Sequence, residues 1–383
     1  MSEGSDIPNK RLGTYKRLVV KIGSALLVET ETHALRQDWL TDLCSEIASR
    51  HKNGLETLIV SSGAVALGRA RLGLIGKPLS LPEKQACAAA GQSHLTQAYD
   101  QALAQFGLHA AQALLTLTDT EDRRHWLNAR STLETLLSLN TVPVINENDT
   151  VATDEIRYGD NDRLAARTAQ MVGADGLLLL SDIDGLYTSD PRVDKSAKHI
   201  PQIDSVTPEI LAMGAGANTD RAVGTGGMAT KLAAAQIATQ AGCEMIIMDG
   251  RAPAPFSRLE GGERSTLFLA ATNPKNARAQ WIIGSLKPKG SLQIDSGAVK
   301  ALNSGKSLLA AGVTSLKGNF QKGEAIGIYD TSGVEVARGL SSYDSQDIQK
   351  IMGHQSDRIE GTLGYTNGPA LIHRDNLVMI SHV

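Results

Sequence analysis

Aromatic residues make up only 4% of this 383-residue chain, so the core it builds must be aliphatic. Cysteine is scarce as well. Cys44, Cys87 and Cys243 are odd in number, far apart and without a CxxC pair, which excludes a zinc knuckle and a disulfide framework and fits a reducing cytoplasm. Long apolar runs are missing: LLLL at 177–180 is far short of the ~20 residues that cross a bilayer. The opening MSEGSDIPNKRLG is polar and lacks the apolar centre of a signal peptide. A soluble, cytoplasmic protein with no membrane role is expected. An excess of one charge is also absent. Lys and Arg total 38 against 41 Asp and Glu, a net charge of −3, and a protein coated for general nucleic-acid binding would be basic. There is no internal repeat and no low-complexity tract.

What is present is an ordinary globular composition, 42% hydrophobic and 21% charged, at a length that suggests two domains. Up to about residue 250, short aliphatic runs alternate with helical patterns. RLVVKIG (17–23), ETLIVSSGA (56–64), AQALLT, VPVINEND, GLLLLSD and EMIIMDG read as strands. Between them, WLTDLCSEIASRHKNG (39–54) with its glycine stop, PEKQACAAAGQSHLTQAYDQALAQFG (82–107) with a proline start and a glycine end, RHWLNARSTLETLLSLN, RLAARTAQMVG and MATKLAAAQIATQAG read as helices. Continuous apolar strands mean burial on both faces, and strand–helix alternation means parallel βαβ units. An α/β fold is expected over 15–272: an open, mainly parallel sheet sandwiched by helices, binding ligands beyond the carboxyl ends of its strands. Those ends are Gly23-Ser24, Ser61-Ser62-Gly63, Asn146 to Asp149, and Ser181-Asp182. Residues 1–14 form an N-terminal tail, 273–287 a linker, 288–370 a small glycine-punctuated β-rich domain, and 371–383 a C-terminal tail.

The stretch GTGGMATK (224–231) carries three glycines and a lysine ahead of a helical run. Gly224, Gly226 and Ala229 match a dinucleotide fingerprint, with Glu244 about 20 residues on, but that motif needs a strand immediately before it and MGAGANTDRAV is not one. A Walker A loop fails because Leu232 follows Lys231. SGKS at 304–307 fails because Lys300 stands where its first glycine belongs. A third reading is a phosphate loop at a helix N-terminus, with Lys231 one turn inside; a plain surface loop is the bland alternative. Two features favour phosphate. Lys21 interrupts the buried strand LVVKIGS, a costly place for a charge without a partner or a task. The run NENDTVATDEIRYGDNDRL (146–164) brings six acids between asparagines. It is not a calcium loop, since Ala165 and Met171 stand where glycine and glutamate are required.

Taken together, VVKIGS (19–24), SSGAVALG (61–68), PVINENDTVAT (143–153), GDNDRLAA (159–166), LLLLSDIDGLYTSDPR (177–192) and GTGGMATK resemble the amino-acid kinase family, in its glutamate 5-kinase branch, over essentially the full chain. The tail resembles a PUA domain, a small β-rich module often found on RNA-modifying enzymes. The resemblance implies an ATP-dependent transfer of the γ-phosphoryl group to the side-chain carboxylate of L-glutamate, the first step towards proline. It implies that Lys21 and Lys231 flank the reacting phosphates and that Asp162 holds both. It places Thr225, Gly226, Gly227, Met228, Ala229 and Thr230, with Lys231, over ATP. Ser181 and Asp182 lie at the nucleotide, with Tyr187 and SDPR nearby. Ser62, Asp149 and Asn161 bind glutamate, supported by Asp160 and Asn146. Ser61 and Ser181 stand where threonine is commoner in the family, each keeping its hydroxyl. No protein cage for a metal is visible, so Mg²⁺ is expected to ride on the phosphates of ATP. Feedback inhibition by proline and a homodimer or homotetramer are implied too. Kinases acting on aspartate, N-acetylglutamate or carbamate are the rivals. RNA binding by the tail stays open, although ten Lys and Arg against nine Asp and Glu from 285 to 383 argue against a tight interaction.

Overall fold

The computed structural model describes residues 12–151, 160–214, 227–273, 277 and 288–380. The chain divides into two units, the first ending at Pro274 and the second starting at Lys275. In the first unit, ten strands are described. They are β1 (Arg17–Ile22), β2 (Glu56–Ser61), β3 (His109–Leu115), β4 (Thr141–Glu147), β5 (Gly176–Ser181), β6 (Leu186–Tyr187), β7 (His199–Ile200), β8 (Gln202–Ile203), β9 (Glu244–Asp249) and β10 (Ser265–Phe268). Eight of them form one sheet in the order β3-β4-β2-β1-β5-β9-β10-β8. From β3 through β9 every neighbouring pair is parallel. At the far edge β10 runs antiparallel to β9, and β8 pairs with β10 in parallel. The expected mainly parallel sheet is therefore present, with an antiparallel border that the four-residue run STLF did not announce.

The interior strands are apolar on both sides because each side is covered. On one side, Val20, Ile22, Ile59, Val144, Leu178 and Met248 pack with residues of helices α2 (Gln37–His51) and α4 (Leu81–Ala104), which follow the short α1 (Ser24–Leu27) and α3 (Ala64–Arg71). On the other, Val19, Val60, Ile145, Leu177, Leu179 and Ile247 meet helices α6 (Arg123–Ser138), α7 (Asp160–Val172) and α9 (Met228–Gln240), with the short α5 (Leu117–Glu121) and α8 (Pro208–Met213) preceding α6 and α9. The two-residue period of a strand makes this division. The pairs Val19/Val20 and Leu177/Leu178 are adjacent in sequence and lie in opposite cores.

Helix α4 starts where its sequence directs. Ser80 and Glu83 form a capping box, with Pro82 in the first turn. Helix α3 was not foreseen, since the strand reading of ETLIVSSGA ran through its start. Gly63 ends that run with φ of 107°, a left-handed turn that a side chain resists, and the helix begins at Ala64. Helices α3 and α4 touch backbone to backbone. A Cβ on Gly68 would lie 1.8 Å from the Cys87 carbonyl oxygen, and one on Gly91 would lie 1.8 Å from that of Ala64.

The second unit is β-rich, as expected. Its five-stranded sheet runs, in spatial order, Val313–Gly318, Gly290–Ile294, Ala325–Tyr329, Glu335–Leu340 and Leu377–Met379, and Leu308–Leu309 pairs with Ala370–Ile372. Its own core includes Leu292, Ile294, Ile326, Ile328, Phe320 and Tyr343. Helices Ser296–Asn303 and Ser345–Ile351, each capped by an aspartate, lie within what read as a mostly β texture.

Candidate active site

Strand β1 leads to β2 on one side, whereas β4 crosses to β5 on the other, so the sheet changes winding direction beside β1. Ligands of open α/β sheets bind at such a point, beyond the carboxyl ends of the strands. Lys21 is the last residue of β1 on the α7/α9 side. Its register partners Val60 and Leu179 both belong to that side's core. The residue is 7% exposed, and an ammonium so placed needs an anion.

Asp162 supplies that anion. It sits in the first turn of α7, fully buried, where the helix dipole favours negative charge. Lys21 Nζ lies 2.6 Å from its Oδ1, and Lys231 Nζ lies 3.3 Å from its Oδ2. Thr230 Oγ1 donates to the same Oδ2 at 3.0 Å. Burial pushes the Asp162 carboxyl up, but the charges of Lys21 and Lys231 outweigh it and hold the group below its usual range. Burial pulls the Lys231 ammonium below the ordinary lysine range, against the restraining pull of Asp162. Lys231 is in the first turn of α9, one turn inside the cap residue Gly227 as the sequence suggested. Gly227 gives no side-chain cap, so among the described residues no side chain meets the first backbone N–H groups of α9, a helix start that favours an anion. Met228, Ala229 and Thr230 fill that first turn.

Beside the lysines lies a cluster of amides and a hydroxyl. Asn161 Nδ2 donates to Ser62 Oγ at 2.7 Å, Asn146 Oδ1 at 3.1 Å and the Ser61 carbonyl at 3.4 Å. Asn146 Nδ2 donates to Gln92 Oε1 at 2.8 Å. Asp149 is half-buried on the turn after β4. At the end of β5, the buried Ser181 hydroxyl donates to Asp182 Oδ1 at 3.1 Å, and Asp182 itself is exposed. Beyond it, Tyr187 donates its hydroxyl to Asp184 at 2.9 Å, and Arg192 grips Asp190 through Nε and Nη2, both at 2.9 Å.

The structure thus joins Lys21, Asp162, Lys231 and Thr230 in one cluster, and Ser62, Asn161 and Asn146 in a second at the same sheet edge. Thr225, Gly226 and the side chain of Asp160 lie outside the described residues. Gln92 was missed by sequence reasoning. Its signal was available, for it shares the buried side of α4 with Ala88, Leu95 and Ala98, a polar side chain in an otherwise mainly apolar stripe. Among the described residues, no three His, Cys, Asp or Glu side chains converge in a way that holds a metal ion. No described helix is long and apolar enough to cross a membrane.

The model of the Amino acid kinase family matches residues 16–249, and that of the PUA domain matches residues 290–363. Glutamate 5-kinase of Caulobacter vibrioides (strain NA1000 / CB15N) is 56% identical over 364 residues, covering 95% of this chain and 96% of that protein. Glutamate 5-kinase of Brucella ovis (strain ATCC 25840 / 63/290 / NCTC 10512) is 54% identical over 370 residues, 97% of each. Among solved structures, carbamate kinase from Giardia lamblia bound to AMP-PNP is similar at 17% identity and a TM-score of 0.48, over 67% of this chain and 99% of that one. With the family model matching more than half of the chain, and with relatives 54–56% identical over nearly its full length, the chain belongs to the amino acid kinase family.

Proposed function

We propose that the protein phosphorylates the side-chain carboxylate of L-glutamate with ATP, giving L-glutamyl 5-phosphate and ADP, the first step towards proline. The observation that carries the proposal is the convergence of Lys21 and Lys231 on Asp162 beside the Ser62, Asn161 and Asn146 cluster. The full-length identity to proteins named glutamate 5-kinase supports the choice of acid.

In this reading the glutamate carboxylate oxygen forms the new bond to the γ-phosphorus as the bond from that phosphorus to the β–γ bridging oxygen breaks. The carboxylate is already ionised at neutral pH, so no base has to take a proton. Asp162 is correspondingly engaged between two ammonium groups, which suits it to holding them and not to proton abstraction. Lys21 and Lys231 place positive charge where negative charge spreads over the transferring oxygens, the main source of catalysis in phosphoryl transfer. The uncapped start of α9, with Gly227 through Thr230, receives phosphate oxygens, and Ser181 and Asp182 face the nucleotide. Ser62 and Asn161 present polar groups to glutamate, and Asp149 faces its ammonium. Mg²⁺ in this reading is carried chiefly by the ATP phosphates. Competition by proline, assembly into a dimer or tetramer, and a cytoplasmic location belong to the same reading.

The test is an ATP–Mg²⁺ assay with hydroxylamine as trap, run with L-glutamate, L-aspartate and N-acetyl-L-glutamate. Hydroxamate from glutamate alone is expected, and Lys21→Ala and Lys231→Ala are expected to abolish most turnover while leaving the fold intact. Product from a different acid would move the chain to a sister kinase, and near-normal turnover in either lysine variant would remove that lysine from the chemistry.

A further inference from the structure

The second cluster does not end at Asn146. Gln92 receives the Asn146 amide on its Oε1 and passes its own Nε2 on to Thr96 Oγ1 at 3.2 Å and to Gln112 Oε1 at 3.4 Å. Thr96 Oγ1 also donates to Gln112 Oε1, at 2.7 Å. The result is a row of amides from Asn161 through Asn146 and Gln92 to Gln112, which is exposed on the edge strand β3. Gln92 and Asn146 are 7% and 2% exposed.

This row has a fixed polarity, set at two points by backbone groups whose roles cannot reverse. The Glu147 N–H only donates, and it meets Asn146 Oδ1 at 2.9 Å. That orientation turns the Asn146 NH₂ towards Gln92, which must answer with its oxygen. The Ser61 carbonyl only accepts, and it faces Asn161 Nδ2. The Asn161 NH₂ is thereby committed to Ser62, Asn146 and Ser61. Its other atom, Oδ1, is buried without a partner among the described residues. A buried acceptor left bare costs free energy unless a ligand donor meets it. An amino acid's ammonium is such a donor.

We propose that Gln92 is a positioning residue for the acid acceptor. From 92 it locks Asn146, and through it Asn161, in the one orientation that presents the Asn161 oxygen to the ammonium group of the substrate. The inference rests on the reading of the site as an amino-acid kinase site, and it makes no contact between Gln92 and substrate. Gln92 therefore acts on acceptor binding and not on ATP.

The experiment measures kcat and the KM of both substrates in the full-length protein, for wild type, Gln92→Met and Gln92→Glu. Methionine fills the space but offers Asn146 no acceptor; glutamate restores an oxygen. Gln92→Met is expected to raise the KM for the acid acceptor about tenfold, the effect of stranding one buried amide, with the ATP KM unchanged. Gln92→Glu is expected to recover most of that loss. Should Gln92→Met fail to fold, the near-isosteric Thr96→Val, at a half-buried position, is expected to shift the same KM in the same direction by less. An unchanged acceptor KM in a folded variant, or equal rises for acceptor and ATP, would overturn the inference. If wild type phosphorylates an amino acid other than glutamate, the choice of substrate falls while the relay is still judged by that acid's KM.

Discussion

Asp162→Asn is the most informative single change. The carboxylate faces two ammonium groups, at 2.6 and 3.3 Å, in a fully buried position. With an effective dielectric of about 20, the two attractions amount to about 6 and about 5 kcal/mol before desolvation and lysine–lysine repulsion are subtracted. The net cost of deleting the acid is smaller: removing one partner from a buried pair typically costs about 3–5 kcal/mol, because the remaining charge is stranded. Thermal unfolding of the variant without ligand should fall by roughly 6–20 °C on the scaling for domains of this size. At the same time kcat should drop about a hundredfold or more, since lysines displaced by about 1 Å lose that much. Saturating ATP should recover more stability in the variant than in wild type, because phosphate oxygens replace the missing anion and ligand binding adds to stability by mass action. The pH dependence has a definite sign. Asp162 has a lowered folded-state pKa, so its contribution is complete above the ordinary carboxylate value of about 4 and is lost as pH falls through the lowered one. The Asn variant lacks that acid-side loss. An Asn variant with wild-type melting temperature and turnover would refute the reasoning outright.

Four further outcomes are expected. Asp149→Ala should raise the glutamate KM more than the ATP KM, and equal effects would argue against an ammonium contact. Gly91→Ala forces a Cβ to 1.8 Å from the Ala64 carbonyl oxygen, so α3 and α4 must separate; calorimetry should show at least the roughly 1–3 kcal/mol typical of overpacking. Native protein should resist thiol reagents at all three cysteines, each 0% exposed, with burial pushing the Cys44 thiol up to about 12 and Cys243 well above its ordinary value; rapid labelling before unfolding would contradict this burial. The pH–rate profile should show no ascending limb near neutrality, because the acceptor carboxylate needs no base, and its alkaline descent should begin below the ordinary lysine value of about 10.4, since Lys231 is shifted down.

Much of the fold was legible because two-sided burial leaves a plain mark. LLLL, LVV and MIIM are apolar at every position, whereas a half-exposed strand would alternate. A proline start at Pro82 and a glycine end at Gly107 marked α4. The elements that escaped have local reasons. Helix α3, AVALGRAR, has no clear apolar stripe, since it meets α4 through Gly68 where backbones touch and side chains are absent. Strands β6, β7 and β8 hold two residues each, too few to show a period. The antiparallel pairing of β10 depends on its neighbour in space, which no local pattern encodes.

The site divides along the same line between local and distant causes. Lys21 was conspicuous because a charge in a buried strand is an anomaly wherever that strand lies. Asp162 was not, being one of six acids in a polar run, and only family resemblance singled it out. The structure supplies the reason: in the first turn of α7, it meets Lys21 of β1 with one oxygen, and α9 lays Lys231 against the other. Gln92 is harder still, since its partners come from β4 and β3, 54 and 20 residues away. Its role depends on amide polarity, which backbone groups at Ser61 and Glu147 impose. A residue whose task is to orient another leaves no motif of its own; its mark in the sequence is a polar side chain where the surrounding pattern calls for an apolar one.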